Sequence, residues 1–288
     1  MQSQQTLNRN HRQVNYIKSL FPMFLKGLEA QGYWRASLIN SLGQHQIITH
    51  FNHVQTQMDQ HTLRCLTRQT HIKLITDQWK YIESSINGNK QHLLIFDQKT
   101  EPCQHFKSLN ETHSEQMETL TDYCSAFENK TPLIYKKPPV TQSLAKQSRP
   151  DDLDHQRAKI QHLDQIDSLL NKYQLDFDTF SERHTEKPQP MSIDAFTHLL
   201  SRIKLGENKV QVTSHHHAAV QSHQGRIINL LQLNNQLIIG DAGFKCQINL
   251  HSIKQVWHWQ QQTAAGRIEQ VMLVDYKGRL ALSISRWL

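Results

Sequence analysis

No apolar run in this sequence approaches eighteen residues, so no segment has the length and composition of a membrane-spanning helix. The opening stretch MQSQQTLNRNHRQ has no apolar core of the kind a secretion signal needs. Cysteine is scarce and scattered. Cys65, Cys103, Cys124 and Cys246 form no C-x-x-C pair, which argues against a zinc knuckle or a disulfide scaffold and fits a reducing cytoplasm. There is no nucleophile elbow, no glycine loop for phosphates and no H-E-x-x-H. Helix-turn-helix cues, a ribonucleoprotein aromatic signature and zinc-finger spacing are missing too, so specific nucleic-acid binding is not expected.

What is present is polarity without clustering. Hydrophobic residues make up 37% and charged residues 20%, enough for a core, with Gln, Asn, Thr and 19 His supplying the remaining polarity. The formal charge is +7, but the basic residues are spread out. They read as a solvated basic surface or as partners for a small anionic ligand. A chain of 288 residues suits two average domains or one large sheet structure.

Two segments read alike. Residues 71–109 and 245–287 each open on a short alternating strand. Each continues through a Trp-bearing strand (QWKYI, SIKQVWHW) and a polar turn (NGNK, TAAGR). Each then reaches an apolar run ending in Asp, HLLIFDQKTE against QVMLVDYKGR, with Lys99 or Lys277 two residues beyond Asp97 or Asp275. Asp with its short acceptor side chain starts turns between antiparallel strands. Between the copies, residues 131–152 hold four of the eight prolines and little apolar rhythm, the mark of an extended connection. Helical spacing is expected over 14–30, bent at Pro22, over 154–173, and over 192–203, where Ser192 caps a face of Ile193, Phe196, Leu200 and Ile203. The expected fold is therefore α+β and internally duplicated. It comprises two large antiparallel sheets, each preceded by helices, over residues 1–130 and 153–288.

The duplicated meander resembles the haemin-degrading factor (haemin transport, HemS/ChuS-type) family of Gram-negative bacteria. The likeness covers residues 38–109 and 190–288. It rests on Phe244, Ile253, Trp257, Gly266, the Val274–Asp275 pair and Gly278, and in the first half on LGQHQIITHFNHV. The resemblance implies a cytoplasmic protein that binds one haem, as a carrier or as an oxygenase-like degrader, with a haem uptake transporter or a haem oxygenase as partner. The composition is compatible: a haem pocket needs apolar walls, an imidazole for iron and Lys or Arg for the propionates.

Carried over residue by residue, the resemblance also shows departures. The family's iron-binding His falls on Asp194, in SIDAFTHLL, and His198 lies one helical turn further on the same face. His198 is the expected iron ligand. A family Arg on the other side of the pocket falls on His50, which is a second candidate for the iron. Arg226, Lys245, Lys254 and Arg279 are the propionate candidates; Phe244 and Trp257 are the aromatic wall. The run TSHHHAAVQSHQG, residues 213–225, puts four histidines in thirteen positions. On a strand, His216 would share the face of Val210, Val212 and Ser214 and matches a family His, while His215 and His217 would look outward. His215 and His217 could hold a stray divalent ion, but no Asp, Glu or Cys at suitable spacing completes a site, so no functional metal is expected there. An alternative reading keeps Asp194 in view: a member that retains the scaffold without haem and acts as an interaction or regulatory module.

Overall fold

The computed structural model describes residues 11–15, 32–50, 55–58, 62–87, 90–109, 188–263 and 266–288. The chain forms two compact units. The first comprises residues 1–132, 215–223 and 242–246, and the second residues 133–214, 224–241 and 247–288.

In the first unit, His11–Asn15 (β1), Tyr33–Asn40 (β2), Gly43–His50 (β3), Gln55–Met58 (β4), Thr62–Leu66 (β5), Thr70–Ile75 (β6), Trp79–Asn87 (β7), Lys90–Asp97 (β8) and Pro102–Ser108 (β9) are strands. They order as β1-β7-β8-β9-β2-β3 and as β6-β5-β4. All pairings are antiparallel. Burial alternates along β6 and β8, so one side chain in two enters the core. Trp34, Leu38, Ile47, Leu63, Ile72 and Phe106 are fully enclosed there.

The second unit holds Gln189–Met191 (β10) and the helix Ile193–Leu205 (α1), the single α-helix among the described residues. Lys209–His216 (β11) and Ala219–Arg226 (β12) follow, with residues 215–223 counted in the first unit. Asn229–Leu233 (β13) and Gln236–Gly240 (β14) form a hairpin. Phe244–Asn249 (β15), Ile253–Thr263 (β16), Gly266–Asp275 (β17) and Leu280–Trp287 (β18) complete the chain. The order β10-β16-β17-β18-β11 repeats β1-β7-β8-β9-β2 strand for strand. A short 3-10 turn precedes the third-last strand of each meander, Thr76–Gln78 before β7 and Leu250–Ser252 before β16.

The two meanders expected at 71–109 and 245–287 are thus present as antiparallel strands. The helices are only partly there. Ser192 caps α1, accepting the Ala195 N–H at 3.1 Å, and Phe196, Leu199, Leu200 and Ile203 are buried. Val14 and Asn15, read as the start of a helix, belong instead to β1. Their backbones pair with Ile82 and Tyr81, so cross-strand hydrogen bonding overrides the local helical spacing. Residues 16–30, the helix expected over 154–173 and the connector 131–152 lie outside the described residues.

Candidate functional site

Three neighbouring strands of the second unit place one row of polar side chains together. Gln260 on β16 pairs with Glu269 on β17, and Glu269 pairs with Arg286 on β18. His258 stands two residues from Gln260 and so emerges on the same face. Their side chains converge on Glu269. Its Oε1 accepts from His258 Nε2 at 2.9 Å and Gln260 Nε2 at 3.2 Å; its Oε2 accepts from Arg286 Nε at 2.6 Å. Glu269 is buried, yet hydrogen bonds from His258, Arg286 and Gln260, helped by the Arg286 charge, outweigh desolvation and hold its carboxyl below the usual carboxylate range.

This row forms one wall of a cavity of about 540 Å³. The other wall is α1, with Ala195, His198, Leu199 and Arg202; Met191 and Leu288 also line it. The size lies within the roughly 300–1,000 Å³ of small-molecule and cofactor sites. Apolar side chains, two histidines and two arginines together suit a flat apolar ligand with anionic edges. Arg202 is exposed at the helix and Arg286 is mostly covered.

Of the residues singled out in the sequence, His198 lines this cavity, exposed on α1. Asp194 is exposed one turn earlier in the first turn of the helix. The others lie elsewhere. Trp257 is half-buried on β16 opposite Met272. Arg226 is bound to Glu207 at 3.1 Å, and Arg279 to Asp275 at 2.8 Å. In the first unit, His50 packs edge-on against Tyr33 with ring centroids 4.6 Å apart. Lys245 is exposed, while Phe244 is buried between the rings of His45 and His223. His216 lies with His217 beside Asp97. So a carboxylate does accompany the histidine run, contrary to the local reading, because it arrives from β8 rather than from nearby sequence. His215 also departs from expectation: it is half-buried rather than outward-facing, and desolvation pushes its ring down to about 3.

Sequence reasoning missed His258, Glu269 and Arg286. The available signal was the charge pair Glu269 and Arg286 on two adjacent strands of one meander, which becomes a contact only once the register is known. Cys103 is no nucleophile: burial, and then the nearby Asp97 charge, push its thiol up to about 12.

The sequence model of the haemin-degrading HemS.ChuX domain matches residues 178–285, which contain every residue of this cavity except Arg286 and Leu288. No curated protein matches the sequence. Among solved structures, holo-PhuS, a heme-binding protein from Pseudomonas aeruginosa, is similar with a TM-score of 0.76 at 14% identity, covering 97% of this chain and 82% of that one. ChuS, an E. coli heme oxygenase, has a TM-score of 0.75 at 17% identity, covering 98% and 84%. At such identities the likeness is one of fold.

Proposed function

We propose that this chain, a HemS/ChuS-type family member through its match to the haemin-degrading HemS.ChuX domain over residues 178–285, binds haem in the cavity between α1 and β16–β18. The observation that carries the reading is the presence of His198, Arg202 and Arg286 around one cavity within the matched domain. In this reading His198 supplies the iron ligand from the helix, one turn beyond Asp194. Arg202 and Arg286 meet the propionates, and Met191, Leu199 and Leu288 cover the ring. Haem itself brings the redox chemistry of any ring opening; the protein's part is to hold, orient and shield it. The role is haem trafficking or degradation in iron acquisition, in the cytoplasm, with an uptake transporter or a haem oxygenase as the partner.

Two properties support this assignment over a side-chain enzyme. Glu269 already accepts from three donors and has no lone base role, and Cys103, beside the Asp97 charge, is a suppressed thiol. Titration of the protein with haemin, followed at the Soret band, tests the reading. Saturation near one equivalent, with a band moved by His198→Ala, is expected. An unsaturable, greasy uptake that His198→Ala leaves unchanged would overturn it and leave the scaffold as an interaction module.

A further inference from the structure

The β8–β9 and β17–β18 hairpins of the two units turn in the same way and differ at one atom. In both, the Asp Oδ1 accepts two backbone N–H groups. These are Lys99 and Glu101 at 2.8 Å each on Asp97, and Lys277 and Arg279 at 2.8 and 2.9 Å on Asp275. In the second copy the other oxygen is also satisfied, since Arg279 donates to Asp275 Oδ2 from Nη2 at 2.8 Å and from Nε at 3.1 Å. In the first copy the residue four beyond the Asp is Glu101, which brings no positive charge. Asp97 Oδ2 is buried and makes no hydrogen bond among the described residues. It faces two imidazoles instead, His217 Nε2 at 3.1 Å and His216 Nε2 at 3.9 Å, brought by the 215–223 return of the chain.

A buried carboxylate needs a counter-charge. His216 does not bring one. Its Nδ1 accepts the Ala218 N–H at 3.2 Å, and a doubly protonated ring has no nitrogen left to accept. Meanwhile the ligating atoms of Asp97, His216 and His217 all lie within 4.8 Å of one another. Ligands about 2.1 Å from a tetrahedral metal sit roughly 3.4 Å apart, a value that the 3.1 and 3.9 Å spacings bracket. The trio is two nitrogens and one oxygen, the donor set of open zinc-type sites. His217, at 33% exposure on the turn, leaves a side open for the ion to enter and for water to complete the shell.

We propose that Asp97, His216 and His217 bind a divalent transition-metal ion of the zinc class, separate from the cavity of the second unit. The ion takes Asp97 Oδ2 and the two Nε2 atoms. It supplies at Oδ2 the positive charge that Arg279 supplies in the second copy. His216 moves its proton from Nε2 to Nδ1, with no net loss, and releases the Ala218 amide.

Cobalt(II), whose visible band is intense when four-coordinate, is titrated into the full chain and then displaced with zinc. One saturable equivalent is expected, together with faster hydrogen exchange at the Ala218 amide. Loss of even an outer-shell partner weakens a metal site by about ten- to a hundredfold, so His217→Ala and Asp97→Asn should each weaken cobalt binding at least tenfold and abolish the band. Asp97→Asn keeps the Oδ1 acceptor that builds the turn; should it not fold, His217→Ala, on the exposed turn, decides. An unchanged band and affinity in His217→Ala, or no saturable band in the native chain, overturns the site.

Discussion

Thr100 and Gly278 occupy the same position in the two Asp turns, and both hold left-handed backbone, with φ of 66° and 74°. Glycine adopts that region freely, whereas a β-branched residue is strained there. Space is not the issue, since a Cβ at Gly278 would meet nothing within 4 Å. Thr100→Gly is therefore expected to stabilise the first unit by about 1 kcal/mol, net of the entropy glycine adds to the unfolded chain. Gly278→Thr should cost a similar amount. Urea denaturation of the two variants checks both signs, and an unstable Thr100→Gly would refute the equivalence of the turns.

Glu269 is held by three donors from its two neighbouring strands. Removing one partner of a buried pair costs roughly 3–5 kcal/mol where nothing compensates. With His258 and Gln260 still donating, Arg286→Ala is expected to cost about 2 kcal/mol. Arg286→Ala combined with Glu269→Gln should recover part of that loss. Thermal melts of the single and double variants decide whether the row acts as a unit.

Acid should weaken the fold earlier than carboxylates alone would. Burial drives His45 to about 3 and His215 to about 3, against 6.5 when unfolded. Between those values the unfolded chain binds more protons than the native one, so stability falls as pH drops below about 6.5 and keeps falling toward 3. At pH 5 each group costs on the order of 2 kcal/mol. Glu269 adds its own loss lower down, because its depressed carboxyl stabilises the fold only while it stays ionised. Denaturant midpoints at pH 7, 6 and 5 test this, and His45→Gln should flatten the slope. A midpoint unchanged down to pH 5 would contradict the burial of these rings.

Ser192 fixes the start of the helix that carries His198. Ser192→Ala is expected to cost about 1 kcal/mol and, if His198 ligates haem, to weaken haemin binding several-fold. Ser192→Asp should retain both properties. A loss of stability with unaltered haemin affinity would separate the cap from the site.

Much of the fold was legible because it is local. The two Asp turns announce themselves by an apolar run, an Asp and a Lys at fixed offsets, and the structure builds both with the same pair of backbone hydrogen bonds. The helix at 193–205 was visible from Ser192 and the spacing of Phe196, Leu200 and Ile203. Val14 was not, since its strand exists through pairing with Ile82, sixty-eight residues away, 82 − 14, and no local pattern encodes a distant partner.

The candidate sites divide along the same line. His198 was named from the family resemblance and its place one turn beyond Asp194, but its neighbours His258, Glu269 and Arg286 join it only when strand register sets three rows side by side. The histidine run was conspicuous and Asp97 was noticed separately; only the return of residues 215–223 to the first unit makes them one cluster. Residue types, turns and the repeat thus follow from short-range periodicity and hydrogen bonding, which the sequence by itself determined. Which charges meet was decided by tertiary structure, because an electrostatic contact depends on distance in space and a buried carboxylate takes its partner from whatever strand is packed against it.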